Sequence, residues 1–262
     1  MSYKISVVIR NKNQSDSLAF LLKNLKERYF DDIDEVIVID NKSTDSSLDV
    51  ISKYKAKLVT IKNFSYGGSA NLAAESSSNN IVVLSSAHAY PVSYDFFLQI
   101  KLKFQQNSNL AGVRCLHNSN DYKNYINNIS SKVDPNKSGL IFCGSAFNKK
   151  VWEKHNFKAD VQTFEDKEWS KRVLGLGYEI DFSPSIFAYD IKRTSKQKFF
   201  RFKNEVIGGY QLWHTDFKKT VLLKFFMFSI LSIIKRSIVD LFYTFKRFFF
   251  MIKFIFNKPE RF

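Results

Sequence analysis

The chain has 262 residues, enough for one large α/β domain with an appendage and too many to need disulfide staples. Its two cysteines, Cys115 and Cys143, have no CxxC spacing, which excludes a disulfide framework and gives no support for a structural zinc site. A formal net charge of +15 calls for an anionic partner or surface: nucleic acid, a nucleotide-bearing substrate or acidic lipid.

The first strand is expected at 5–9, with no basic-apolar leader before it, which argues against a cleaved signal peptide. Leu18, Leu21, Leu22 and Leu25 then recur at helical spacing through 15–29, with Ser15 or Asp16 as N-cap. Residues 36–39, 58–61 and 81–84 read as further strands, and 46–54 and 68–76 as the helices between them. This alternation predicts βαβ units and a mainly parallel, twisted sheet. Ligands of such sheets gather beyond the carboxyl ends of the strands. Three polar loops sit there: Arg10-Asn11-Lys12-Asn13, Asp40-Asn41-Lys42-Ser43-Thr44-Asp45 and Ser85-Ser86-Ala87-His88. The Asn/Ser/Lys-rich stretch 117–138 reads as a mobile loop over that edge.

Further on, Glu165-Asp166 opens an amphipathic helix with Trp169, Val173 and Leu174 on one side and Lys171 and Arg172 on the other. Gly175 and Gly177 stop it, and 178–182 begins a strand. Carboxylates in a first helical turn are favoured by the helix dipole, so the pair taken alone reads first as a helix N-terminus with nothing to catalyse. From residue 198 the composition shifts. Residues 198–262 hold thirteen Lys/Arg, four Asp/Glu and a crowd of phenylalanines. The longest uncharged apolar run, 225–234, is about half of the ~20 residues that cross a bilayer. Helices lying on an anionic membrane surface through 218–262 fit this pattern, as does packing on the domain or on a second copy in a homodimer. Nucleic acid fits less well, because the charge accompanies long apolar helices rather than a polar groove.

Taken together, residues 4–190 resemble the inverting family 2 glycosyltransferases of the GT-A fold. The resemblance rests on Ser6-Val7-Val8-Ile9-Arg10-Asn11-Lys12-Asn13, on Val36–Ile39 followed by Asp40-Asn41-Lys42-Ser43-Thr44-Asp45, and on Phe64-Ser65-Tyr66-Gly67-Gly68-Ser69-Ala70-Asn71. Its fourth piece is Glu165-Asp166-x-Glu168-Trp169 with Arg172, Gly177, Pro184 and Asp190. It implies a Rossmann-like, mainly parallel sheet flanked by helices over 1–197, with 198–262 as a basic, Phe-rich, membrane-associating helical region. It implies a nucleotide-sugar donor bound by Arg10, Asn13, Asp40, Asn41, Ser43, Gly67, Asn71 and His88, with Asp40 on the base. Asp166 is implied as the catalytic base, Glu165 as its orienting partner or a grip on the acceptor, and Trp169 as a stacking face for the acceptor. Asn13 reads equally as a loop-closing turn residue and Trp169 equally as core, while for Asp40 a turn role is the lesser alternative to reading the base.

The family's metal-binding Asp-x-Asp is replaced here by Ser86-Ala87-His88, and a His common at the far end by Asp190. Two readings stay open. His88 and Asp190 together give one imidazole and one carboxylate to Mn2+ or Mg2+; or transfer is metal-independent, with His88, protonated, and the basic loops neutralising the leaving group. The Arg-x-Lys-Asn loop leans toward dTDP-rhamnose, with UDP-sugars open. The acceptor implied is a glycan or polyprenyl-linked precursor of a surface polysaccharide, on the inner, cytoplasmic face of a bacterial cell membrane. The alternative is a non-catalytic nucleotide-sugar- or glycan-binding relative.

Overall fold

A computed structural model describes residues 4–216 and 218–261. Two compact units divide it, one ending at Trp213 and one beginning at His214. In the first, β1 (Ile5–Asn11), β2 (Glu35–Asp40), β3 (Lys57–Thr60) and β4 (Ile81–Ser86) alternate with α1 (Ser15–Arg28), α2 (Ser47–Lys53) and α3 (Tyr66–Ser76). Then come β5 (Ala89–Pro91), α4 (Phe96–Gln106), β6 (Leu110–Leu116), α5 (Ser119–Ile126), α6 (Pro135–Ser138), β7 (Ser145–Asn148) and α7 (Lys149–Lys154). The unit closes with α8 (Glu165–Gly175), β8 (Glu179–Tyr189) and α9 (Ser195–Trp213).

The eight strands run β3-β2-β1-β4-β7-β6-β8-β5. The β1–β2, β1–β4, β2–β3 and β6–β8 pairs are parallel, and β4–β7, β6–β7 and β5–β8 are antiparallel. This is the expected mixed, mainly parallel sheet. Both faces are covered, as continuous apolar strands such as Ile5–Ile9 require. Leu18, Leu21 and Leu25 of α1 and Phe97 and Ile100 of α4 pack on one face; Ala70 and Ala73 of α3, Trp152 of α7 and Trp169 of α8 pack on the other. The parallel register sets Asn11 beside Asp40 and Arg10 beside Ser86, so three strands end in one row.

The 117–138 stretch departs from expectation. It carries α5 and α6, each with a built N-cap: Asn118 Oδ1 accepts from the Asn120 and Asp121 amides, and Asp134 Oδ1 from those of Asn136 and Lys137. Asn and Asp favour caps as strongly as they favour loops, which is why composition misled. A buried Arg114–Asp121 ion pair at 2.6 Å ties the segment to β6.

The second unit is dominated by α10 (Lys219–Phe256), 38 residues with an exposed surface throughout. At 1.5 Å per residue it is about 57 Å long. Lys224, Lys235 and Lys246 recur every eleven residues, as do Arg236 and Arg247. That period is 3.67 residues per turn, so the cations keep to one side of the helix along its length. Among the described residues no helix is long and apolar enough to cross a membrane.

Candidate active site

Beyond the strand ends lies a cavity of about 650 Å3. Arg10, Asn11, Asn41 and His88 line it from the ends of β1, β2 and β4, and Glu165, Asp166 and Lys167 from the first turn of α8. The sequence-predicted Arg10, Asn41, His88, Glu165 and Asp166 therefore meet in one space.

The helix start is held in an unusual way. Phe164, the residue before α8, has φ 67, a left-handed conformation that is uncommon for a bulky side chain and strained. Its ring meets Trp213 of α9 edge-on, 5.0 Å between centroids. A Cβ on Gly208 would come within 2.8 Å of the Thr163 methyl and 2.9 Å of the Phe164 ring, so a glycine lets α9 close on this segment. The kink aims the first turn of α8 into the cavity.

There the two carboxylates have different surroundings. Glu165 is 3% exposed, and its carboxylate lies 3.8 Å from the Arg10 guanidinium. Burial holds its carboxyl well above the usual range, and the charge of Asp166 adds to this; Arg10 opposes it. Asp166 is half-buried, and its carboxylate is fixed by the Phe142 amide at 2.7 Å and the Lys167 amide at 2.7 Å. The Phe142 ring also lies beneath Arg10, with the guanidinium carbon 3.1 Å from its centroid. Burial lowers the Arg10 pKa, and Glu165 opposes that shift most. Phe142 thus ties the end of β1 to the start of α8.

The first two polar loops are knotted to each other. Asp40 is 2% exposed and accepts from Asn11 Nδ2 (2.9 Å), the Ser43 amide (2.8 Å) and Ser43 Oγ (2.6 Å). The Asn13 amide donates to Ser43 Oγ, and Asn13 Oδ1 accepts from the Thr44 amide. Asn13, Asp40 and Ser43 therefore close loops rather than line the cavity, which corrects their expected role as donor ligands. One group left without a partner in this knot is one that sequence reasoning missed. Asn11 Oδ1 is buried without a hydrogen-bond partner, and Asn11 lines the cavity. Its amide orientation follows from the knot, because Nδ2 is the atom facing Asp40 and Ser43.

Three more expectations need correction. Trp169 is 0% exposed, stacked on Phe157 at 5.0 Å with its indole N–H on the His155 carbonyl, so it offers no face to an acceptor. Asn71 clamps the chain at Phe157, donating to its carbonyl and accepting from its amide and from the Trp152 indole. Gly67 faces protein rather than donor: a Cβ there would stand 2.0 Å from the Lys158 carbonyl oxygen.

His88 sits in the turn between β4 and β5, with Nδ1 2.7 Å from Gln14 Oε1 and Nε2 buried without a partner. Burial, then Arg193 and Arg10, push its pKa down to about 4, so the ring is neutral near pH 7 and not the protonated donor considered above. A neutral imidazole with one nitrogen tethered to a carbonyl oxygen and the other free has the donor chemistry of a metal ligand. Asp190 is its backbone neighbour, its amide on the His88 carbonyl at 2.9 Å, but the Asp190 side chain is exposed and does not line the cavity. Among the described residues no cluster of three or more metal-ligating side chains exists. The residues fit a cation held through one protein atom, His88 Nε2, with the rest of its shell from elsewhere.

The far wall was not legible in the sequence. Lys167 donates to the Asn136 and Gly139 carbonyls, and burial with nearby Arg114 pushes it down to about 8. Arg193 and Arg201 add guanidinium groups, Arg193 on the Tyr189 hydroxyl at 3.0 Å and Arg201 paired with Glu205 at 2.5 Å.

The profile of the family described as "Glycosyl transferase family 2" matches residues 6–164. A search of curated proteins found no match. Among solved structures, a mannosyltransferase from Pyrobaculum calidifontis in complex with GDP-Man and Mn2+ superposes with a TM-score of 0.63 at 17% identity, over 83% of this chain and 66% of that one. Glucosyl-3-phosphoglycerate synthase from Mycobacterium tuberculosis, with Mn2+, UDP and glucosyl-3-phosphoglycerate, gives 0.59 at 13% identity over 82% of each chain. The same synthase with Mn2+ and UDP-glucose gives 0.60 at 14% identity, over 80% of this chain and 79% of that one. These likenesses carry the fold, and the sequence profile carries the kinship: the chain belongs to glycosyl transferase family 2.

Proposed function

We propose that the chain is an inverting glycosyltransferase that moves a hexose or deoxyhexose from a nucleotide-sugar donor to a hydroxyl of a lipid-linked or surface polysaccharide precursor. The observation that carries this reading is the shared cavity: Asp166, fixed by two backbone amides, faces the same space as the ends of β1, β2 and β4. The base of the donor lies against Ile39 and Ile61, with Asn11 Oδ1 and Asn41 as its polar readers and Phe64 and Tyr66 as a wall. Arg10 lies near enough to His88 to shift it, and its charge suits the diphosphate. Two structural neighbours were solved in complex with GDP-Man and with UDP-glucose, which supports a nucleotide sugar as the donor class.

In the reaction, Asp166 takes the proton of the acceptor hydroxyl. The hydroxyl oxygen bonds to the anomeric carbon from the face opposite the leaving group. The bond from that carbon to the diphosphate breaks, its electrons go to the diphosphate oxygen, and the configuration inverts. Glu165 holds Arg10 beside the donor. When a divalent cation is bound, His88 Nε2 would hold it, and the cation would neutralise charge on the departing diphosphate. Melting temperatures with a panel of UDP-, GDP- and dTDP-sugars, with and without Mn2+, test the reading. A shift with at least one nucleotide sugar is expected, and no shift with any of them sinks it.

The basic, aromatic α10 supports a second part: residues 218–262 hold the enzyme on the anionic inner face of the cell membrane. Seven Lys/Arg against one Asp on an exposed 38-residue helix suit headgroup contact with apolar residues in the acyl boundary. Deleting 218–262 is expected to abolish sedimentation with vesicles containing phosphatidylglycerol, and an unchanged bound fraction would assign the tail another role.

A further inference from the structure

The helix α9 has two faces that the reading above does not use. Gln197, Phe200, Arg201 and Glu205 turn toward the cavity and line it. Further along the same face, Asn204 and Gly208 are buried, and Gln162 Nε2 donates to Asn204 Oδ1 at 3.4 Å. Gln211 Oε1 accepts from the Gln162 amide at 3.2 Å. Helical geometry puts Phe199, Phe202, Val206 and Tyr210 on the opposite face, at spacings of three, four and four. Phe199 is 63% exposed, Phe202 50% and Tyr210 62%. Exposed Lys196, Lys198 and Lys203 flank this aromatic stripe.

An aromatic stripe flanked by lysines is the surface that an anionic bilayer interface favours. On the cavity side of the same helix and beside it, Arg201, paired with Glu205, and Arg193 carry guanidinium groups suited to phosphate. Arg193 is engaged by a phenol hydroxyl, which leaves its charge available.

We propose that α9 is the acceptor lip of the enzyme: its outer aromatics sit among lipid chains while Arg193 and Arg201 take the phosphate of a phosphate-bearing lipid acceptor and lead its head toward Asp166. This deepens the glycosyltransferase reading and rests on it, but involves residues different from those of the donor pocket and of α10.

Farnesyl diphosphate, inorganic diphosphate and farnesol serve as probes. Each is titrated calorimetrically into the full-length chain, with the donor half filled by whichever nucleoside diphosphate raises the melting temperature most. Farnesyl diphosphate is expected to bind on the order of tenfold or more tighter than either half-probe, because apolar burial and charge pairing act together. The double variant Phe199→Ser with Phe202→Ser, both positions exposed, removes that advantage and leaves nucleoside diphosphate binding unchanged. Arg193→Ala weakens farnesyl diphosphate and inorganic diphosphate alike, and Arg193→Lys restores part of the loss. The lip is refuted if inorganic diphosphate binds as tightly as farnesyl diphosphate, or if the double variant binds it as the parent does. Loss of binding on deletion of 218–262 but not in the double variant also refutes it, in favour of the tail. Failure of every nucleotide sugar to bind the parent chain is a separate result, which overturns the glycosyltransferase reading itself.

Discussion

Asp166→Asn changes charge with little change of shape, so it separates chemistry from architecture. The carboxylate accepts two backbone amides, Phe142 at 2.7 Å and Lys167 at 2.7 Å. An Asn side chain has one carbonyl oxygen, so one of these donors loses its acceptor, at a cost of about 1–3 kcal/mol where the site is dry. Removing a like charge beside Glu165 offsets part of that. In a domain of this size the net change amounts to a fall of a few degrees in Tm, at about 2–4 °C per kcal/mol. The loss of a general base is larger: about 10²–10⁴-fold in kcat, or roughly 3–5 kcal/mol of barrier. The assay is single-turnover transfer at saturating donor, with donor affinity measured in parallel. Expected are a collapsed rate and an unchanged donor Kd. Asp166→Ala strands both amides, so it should be less stable than the Asn variant yet no slower. A rate for Asp166→Asn within about threefold of the parent, or rates that track Tm across the two variants, would refute the base assignment.

Other outcomes follow from the same geometry. The Glu165 carboxyl is held above its ordinary 4.5, so the folded state binds the extra proton and this group's contribution to stability falls as pH rises past 4.5. Glu165→Gln should therefore gain on the parent in Tm between about pH 4 and pH 8; parallel Tm–pH curves would contradict the burial argument. Trp169→Phe keeps the stack on Phe157 but loses the bond to the His155 carbonyl, so urea unfolding should show a loss of about 1–3 kcal/mol with acceptor KM unmoved. A raised KM at unchanged stability would restore Trp169 to the acceptor site. Gly67→Ala puts a methyl 2.0 Å from a backbone oxygen, and should cost about 1–3 kcal/mol or more by thermal denaturation; a neutral result would mean that the α3 contact gives way freely.

Much of the scaffold was written in periodicity. Apolar runs such as Ile5–Ile9 and Ile81–Leu84 could serve only as buried strands, and their polar ends mark the cavity edge. What periodicity could not decide was which polar side chain looks outward. Asn11 and Asp40 are neighbours across β1 and β2, and both are polar residues at strand ends. Their fates diverge because left-handed residues at Asn13 (φ 50) and Lys42 (φ 51) bend the loops so that Ser43 closes on Asp40 and Asn13 on Ser43. Turn geometry of that kind lies below the resolution of a motif. Trp169 is a different case, because the signal was present: it shares a helical stripe with Val173, which is also 0% exposed. Phe142, Arg193 and Arg201 reach the cavity from segments with no motif of their own, and Lys167 from the unassigned position of the Glu165-Asp166-x-Glu168 motif, through contacts that only the closed fold creates.

Two adjacent carboxylates at a helix start are chemically redundant unless the fold gives them different surroundings, and here it does. Glu165 faces inward, short of water and beside a guanidinium, so its proton is hard to remove; Asp166 faces the cavity with backbone N–H groups set on its oxygens. Environments that diverge in this way are how one site assigns an orienter and a base to identical functional groups. Arg10 links the assignment to the donor. It lies over Phe142, whose amide fixes Asp166, and pairs with Glu165, while its charge also depresses His88. A diphosphate arriving near His88 therefore meets the same cation that partners Glu165, and binding of the donor and positioning of the base act through one side chain.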